Sequence, residues 1–107
     1  MNLNQLTYFV TLAQIENYTR AAKRLDITQP SLSHAISNLE KELQVPLFER
    51  HGRNVTMTKY GEMFLKYVQD SLHILNLGVE RIQEAARIPG GSISIGYIHT
   101  QGRRFIP

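Results

Sequence analysis

Apolar residues recur at steps of three and four near the start of the chain, a spacing that predicts amphipathic helices. The first predicted helix covers residues 4–16, with an apolar face of Leu6, Phe9, Val10 and Ala13. A second helix follows a break at residues 17–18, and Thr19 stands where an N-cap or first-turn residue belongs. Asp26 then predicts a tight turn, because aspartate tolerates left-handed and turn geometry.

A third helix is predicted from Thr28, whose hydroxyl suits an N-cap. Pro30 falls in its first turn, where the missing N–H costs nothing. Its apolar residues occur at i, i+4, i+7 and i+11 and form one face of about four turns: Leu32, Ile36, Leu39 and Leu43. The Gln-Val-Pro sequence at 44–46 ends the helix.

Two short extended runs follow, residues 47–50 and 55–57, and the sequence His-Gly-Arg-Asn at 51–54 joins them. Runs of this length on either side of a glycine-containing loop predict a β-hairpin. The tip of this hairpin is basic.

Thr58 is placed to cap a long helix that continues to about Ile88, where Pro-Gly-Gly at 89–91 stops it. Its apolar residues alternate strictly at steps of three and four, which is typical of a coiled-coil seam: Leu65, Val68, Leu72, Leu75, Val79, Ile82 and Ala86. Gly78 is a weak point, costing up to about 1 kcal/mol relative to alanine. A helix of about 45 Å overshoots a first domain about 20 Å across, so most of the seam requires a second chain.

The predicted elements give a mainly α fold: a winged helix-turn-helix with a two-stranded β wing and a long C-terminal dimerisation helix. Residues 1–58 form the winged domain, with the helix-turn-helix at about 18–37, and residues 59–88 form the linker helix. Polar and apolar residues alternate over 92–98, as in a strand without a partner. Residues 89–107 are therefore predicted to be a hinge and the first strand of a further domain.

Composition and charge narrow the class of protein. The 42% of hydrophobic and 20% of charged residues are typical of a globular chain. No apolar stretch of membrane-spanning length, no signal peptide and no cysteine occur, so we expect a cytoplasmic protein without a membrane partner.

Over residues 18–60, seven basic residues outnumber four acidic ones, whereas residues 61–89 contain three basic and four acidic residues. The positive charge therefore concentrates where a phosphate-facing surface would need it.

The residues that fill these elements resemble the LysR family of bacterial transcriptional regulators essentially from end to end. The similar segments are Ala21–Leu25, Thr28–Ser33, Ile36–Glu40, Leu47–Arg50, Thr58 with Gly61, and Gly91–Gly96. The resemblance implies a sequence-specific regulator that binds double-stranded DNA at an interrupted palindrome. It also implies an antiparallel homodimer through the linker helix, and a tetramer for a full-length protein. A small-molecule effector is expected in a following domain, with no cofactor in these 107 residues.

In a helix-turn-helix the second helix enters the major groove, and its first residues contact base edges. Here its polar face is Gln29, Pro30, Ser33, His34, Ser37 and Asn38. Gln29 can bond adenine bidentately and Pro30 can contact a thymine methyl, while the hydroxyls of Thr28, Ser31 and Ser33 suit phosphates. The resemblance adds Arg50 and Arg53 of the wing, along the backbone or in the minor groove.

Other interpretations of these residues remain open. Gln29 and Pro30 can simply begin a helix, and His34 can be merely exposed to solvent. Arg50 can pack beside Phe48. His34 and Asn38 stand where many family members carry arginine, and Gln44 stands where glycine is common. The basic residues Arg20, Lys23 and Arg24 can face phosphates or only solvent.

Three other functions compete with that of a LysR-type regulator. An enzyme is disfavoured because the histidines at 34, 51, 73 and 99 show no metal-ligand spacing, and the serines near His34 have no oxyanion loop. A dimerisation module alone would use the coiled-coil seam. Another class of winged-helix regulator, such as the molybdate-responsive regulators, would share the winged helix-turn-helix domain. The segment 91–96 favours the LysR family over that class.

Overall fold

The computed structural model describes residues 1–87, and four helices and one hairpin make up this part of the chain. The elements in order are α1 (Leu3–Ile15), α2 (Tyr18–Leu25), α3 (Gln29–Leu43), β1 (Phe48–His51), β2 (Asn54–Met57) and α4 (Lys59–Ala86). A first compact unit, Met1–Val68, contains everything up to the first part of α4, and a second unit begins at Gln69. The predicted hinge and strand at 89–107 lie outside the described residues.

Asparagine and threonine side chains begin the first three helices. Asn2 forms a capping box with Gln5, Asn17 accepts a hydrogen bond from the Arg20 N–H, and Thr28 accepts one from the Ser31 N–H. The N-cap of α2 is therefore Asn17. Of the two positions predicted for Thr19, N-cap or first turn, the structure shows the first turn. Asparagine is as good an N-cap as threonine, so the earlier residue starts the helix.

The wing is an antiparallel pair in which Phe48 lies opposite Met57 and His51 opposite Asn54. The strands thus take in both ends of the predicted 51–54 loop and leave a two-residue turn, Gly52 and Arg53. Gly52 adopts a φ of 70°, a conformation that favours glycine and that two-residue hairpin turns require.

Seven large side chains are fully buried in the first unit: Phe9, Leu12, Leu32, Ile36, Leu39, Leu47 and Val55. Phe9 of α1 lies at the centre, with its ring centroid 5.5 Å from that of Phe48 and 5.4 Å from that of Phe64. These tilted ring pairs join the wing and the start of α4 to α1, so the hairpin is packed on the helices rather than projecting alone.

Thr58 begins α4 as predicted, because its hydroxyl accepts a hydrogen bond from the Gly61 N–H at 3.1 Å. The same hydroxyl donates to the Pro46 carbonyl at 2.6 Å. The helix ends at Ala86, close to the predicted end near Ile88. Over residues 1–87 no helix combines the length and apolar character needed to cross a bilayer.

The predicted seam of α4 is only partly buried. Val68 and Leu72 are buried, whereas Leu75 is 43% and Ile82 is 62% exposed. Leu65, Val79 and Ala86 are intermediate. Further large apolar side chains are exposed off the predicted seam: Tyr60, Met63, Tyr67, Ile74 and Leu77.

Candidate nucleic-acid interface

The start of α3 has its hydroxyl groups already paired. The Thr28 Oγ1 accepts from the Ser31 N–H at 3.2 Å and donates to the Ser31 Oγ at 2.9 Å. Pro30 lies in the first turn and supplies no N–H. The remaining N–H groups of this turn and the positive end of the helix dipole point where an anion would be stabilised.

The polar side of α3 faces outward. Leu32, Ile36 and Leu39 are buried on the opposite side. Of the residues predicted to contact DNA, Ser33 alone is half-buried, and the others are exposed: Thr28, Gln29, Pro30, Ser31, His34, Ser37, Asn38, Arg50 and Arg53. The structure therefore brings one continuous exposed polar face to the first half of α3.

Two side-chain contacts orient groups on this face. The Thr19 Oγ1 of α2 donates to the Gln29 Oε1 across a long distance of 3.5 Å. The Asn38 Nδ2 lies 3.1 Å from the His34 Nε2, one turn away on α3. The two nitrogens lie within hydrogen-bonding distance, so His34 and Asn38 form a pair rather than two independent groups.

The wing is tethered to the turn between α1 and α2. The Tyr18 N–H donates to the Arg53 carbonyl at 3.3 Å, and the Val55 N–H donates to the Glu16 carbonyl at 3.0 Å. The Asn17 Nδ2 also donates to the Asn54 Oδ1 at 3.0 Å. These contacts hold residues 53–55, from the tip into β2, so the Arg53 side chain projects from an ordered position.

Arg50 is exposed, but its side chain contacts two other residues of the first unit. Its guanidinium carbon lies 4.1 Å from the centroid of the Tyr18 ring, and its Nη2 donates to the Ser33 Oγ at 3.0 Å. The guanidinium of Arg50 thus lies over the ring of Tyr18 and beside Ser33, two partners that the interpretation of Arg50 beside Phe48 did not include. Burial raises the pKa of the Tyr18 phenol above its ordinary value, and the neighbouring Arg50 charge opposes that shift.

Glu40 secures the wing at its other end. Its Oε2 accepts from the Leu47 N–H at 2.6 Å and from the Phe48 N–H at 3.2 Å. A carboxylate that receives two backbone N–H groups is a strong, charge-assisted anchor. The first residues of β1 are thereby held against the later part of α3.

The charge of this surface is not neutralised internally. Over residues 1–87 the ion pairs are those of the Met1 ammonium with Glu42 and of Arg81 with Glu84. The basic side chains of 18–60 belong to neither pair, and Arg20, Lys23, Arg24 and Arg53 are exposed. Their charges are therefore available to phosphates, and Arg53 stands on the tethered tip.

Several residues of this arrangement were missed from the sequence. The sequence pattern marks Asn17 and Tyr18 only as a break between helices, and it includes Glu40 only as part of a family motif. The preference of asparagine for N-caps could have identified Asn17. Nothing in the sequence pattern pairs Tyr18 with Arg50, because that contact joins residues far apart in the chain.

Comparison with known proteins agrees with this geometry. The family model described as "Bacterial regulatory helix-turn-helix protein, lysR family" matches residues 3–62. An uncharacterised HTH-type transcriptional regulator of Bacillus subtilis, YybE, is 44% identical over 107 residues, which are 100% of this chain and 37% of that protein. BudR of Klebsiella aerogenes, an HTH-type transcriptional regulator, is 42% identical over 96 residues, covering 90% of this chain and 67% of that protein.

Among solved structures, the DNA-binding domain of BenM in complex with catB site 1 DNA superposes with a TM-score of 0.79 at 38% identity. That match covers 82% of this chain and 98% of the BenM domain. This chain thus spans little more than a third of the length of YybE but almost all of a DNA-binding domain. Since the matched region contains the helix-turn-helix, the wing and the start of α4, this chain belongs to the LysR family of bacterial regulatory helix-turn-helix proteins.

Proposed function

We propose that this chain is the DNA-binding part of a LysR-type transcriptional regulator and that it recognises a specific duplex sequence. The observation that carries the proposal is the exposed polar face at the start of α3, beside a wing whose basic tip is held by backbone hydrogen bonds. A helix of this kind fits the major groove, and an arginine at a wing tip can reach the adjacent backbone or minor groove.

The residues divide into base contacts and backbone contacts. Gln29 and Pro30 are the proposed base contacts, since an amide can bond adenine and a proline ring can pack on a thymine methyl. Thr28, Ser31, Ser33 and the helix N–H groups are proposed to face phosphates. The paired His34 and Asn38, together with Ser37, lie further along the exposed face and are proposed as additional polar contacts.

We also propose that two chains pair through α4 in antiparallel orientation. This pairing would hold two DNA-binding domains apart, so that each could bind one half of an interrupted palindrome. The exposure of Leu75 and Ile82 on the predicted seam supports this pairing, because an apolar seam of a long helix is stable when covered.

For the full-length protein we propose a tetramer, a cytoplasmic location, no enzymatic activity and a small-molecule effector bound beyond residue 107. The greater length of the relatives supports a further domain.

The proposal is tested by selecting bound duplexes from a random DNA pool and measuring the affinity of variants for the selected sequence across a range of salt concentrations. Arg53→Ala should weaken binding to all duplexes and lower the salt slope by about one, since a phosphate contact is lost. Gln29→Ala should keep the slope but reduce discrimination at one base pair by about 1–3 kcal/mol. Lys41→Ala, in the last turn of α3, is the matched control for loss of one positive charge.

A selection that enriches no sequence, with binding that does not respond to salt, would refute the proposed function. The exposed seam of α4 specifically favours one alternative, a module that only dimerises. Such a module would form dimers in sedimentation experiments yet give that same negative result with DNA.

A further inference from the structure

We propose that Arg50 is a positioning residue that locks the wing to the recognition helix α3 and acts on DNA through Arg53. This inference rests on the proposed function and assigns to Arg50 a role other than an independent phosphate contact. Three elements meet at its guanidinium: β1 carries the side chain, α2 supplies the ring of Tyr18, and α3 supplies the hydroxyl of Ser33.

The geometry accounts for the two preferred interactions of an arginine head group. A guanidinium stacked 4.1 Å from a ring centroid is within the range of a cation–π interaction, and arginine makes such contacts more often than lysine. One in-plane N–H is directed at the Ser33 Oγ at 3.0 Å. The ring contact and the hydrogen bond come from two different helices, so together they restrict both the position and the direction of the head group.

The place of this contact in the fold gives it a role that the other wing contacts lack. The tip is fixed to the turn before α2 through Asn17 and Tyr18, and the start of β1 is fixed to the later half of α3 through Glu40. Arg50 joins the wing to Ser33, in the half of α3 that carries Gln29 and Pro30. It therefore sets the spacing between the wing tip and the proposed base-reading residues.

Arg53 offers the contrast on the same hairpin. Its backbone carbonyl is held by the Tyr18 N–H, while its side chain is exposed and forms no ion pair within residues 1–87. The bonds at residues 53–55 run to residues 16–18, whereas Arg50 bonds to Ser33 of α3. Loss of Arg50 should therefore be felt at Arg53, because the distance of the wing from the first half of α3 would no longer be fixed. Loss of an independent phosphate contact would instead add to the loss of Arg53.

The test is a double-mutant cycle on the 107-residue chain, with a duplex selected by the unaltered protein as the probe. Arg50→Ala and Arg53→Ala should each weaken binding about tenfold and lower the salt slope by about one. The double variant should bind no more weakly than Arg53→Ala alone and should show the same slope. Thermal melts of each variant identify any loss of folding, and Arg50→Gln, a milder exposed substitution, repeats the cycle if Arg50→Ala melts early.

A second readout separates the ring contact from the charge of Arg50. Tyr18→Leu leaves the charge of Arg50 in place but removes the ring, and it should weaken binding about fivefold. Tyr18→Phe keeps the ring and should recover affinity to within about twofold of the original.

Multiplicative losses in the double variant, with a slope lowered by about two, would overturn the proposal and make Arg50 a direct phosphate contact. Equal affinities of the Tyr18→Leu and unaltered chains would overturn it as well. If the selection yields no duplex at all, the proposed function fails instead, so the two failures are distinguishable.

Discussion

Replacing Gly61 with alanine should destabilise the first unit, although alanine is the better helix former. Gly61 lies in the first turn of α4, where that helix passes directly over the Leu47 carbonyl group. A Cβ built at Gly61 would overlap the Leu47 oxygen and would lie 3.2 Å from the Met57 Cβ. The Leu47 oxygen cannot move away easily, because it accepts a hydrogen bond from the Thr58 N–H at 3.0 Å.

The expected size of the effect follows from three opposing contributions. Forcing an extra methyl group into a packed site costs about 1–3 kcal/mol, and weakening the Thr58 hydrogen bond costs about 1 kcal/mol more. The helix preference of alanine offsets at most about 1 kcal/mol of this. The net loss is about 2 kcal/mol, which corresponds to a fall in Tm of about 10 °C for a domain of this size.

The assay is thermal and urea unfolding at one fixed protein concentration, since dimerisation would otherwise change the apparent stability. Gly78→Ala is the matched control, because it is the same change in the same helix with nothing within 4 Å of the added Cβ. That variant should gain up to about 1 kcal/mol. A Gly61→Ala chain that melts at or above the original temperature would show that the close approach to Leu47 does not constrain this position.

Two further predictions concern α4 and Tyr18. Leu75→Asp should convert dimers to monomers in sedimentation equilibrium, because it places a charge on the predicted seam. The control is Ile74→Asp, which changes a 67% exposed apolar residue off the predicted seam and should leave the dimer intact. The reverse result would show that the dimer forms through the other face of α4. Because burial raises the pKa of Tyr18 above its ordinary value of about 10, its contribution to stability is complete below that value and is lost as pH rises through the folded-state pKa. Urea unfolding above pH 10 should therefore show a loss of stability that Tyr18→Phe reduces, and identical alkaline curves for both chains would contradict this assignment.

The elements of the fold followed from local signals, and the contacts between them did not. Thr28, Pro30 and the apolar stripe of α3 determine where that helix begins and which side is buried, and these are short-range properties of the chain. The helix that Thr58 caps was likewise predictable to within two residues at its end. The sequence predicts the start of α2 only to within residues 17–19, because Asn17 and Thr19 both suit an N-cap.

The wing shows where the sequence stops being informative. A hairpin with a glycine turn was evident, but its attachment depends on Asn17, Tyr18 and Glu40, which precede it by up to 37 residues. These contacts depend on the mutual placement of helices, which periodicity does not specify. The ring partner of Arg50 was hidden for the same reason, because Tyr18 belongs to α2 and is distant from Arg50 in the chain.

The three sharp turns of the first unit point to a surface that is ordered before any ligand arrives. Glu16, Asp26 and Gln44 end α1, α2 and α3 with φ values of 61°, 59° and 63°, a left-handed conformation that costs a residue other than glycine about 1 kcal/mol. Each turn directs the element that follows: the first leads into α2 and hydrogen bonds to the wing, the second aims α3, and the third leads into β1. Backbone strain persists where the surrounding contacts overdetermine it, and here the surrounding contacts are the helix caps and the wing tethers. A DNA-binding surface built in this way gives up little conformational entropy on binding, so its affinity should depend chiefly on how well the proposed contacts Gln29, Pro30 and Arg53 match the duplex.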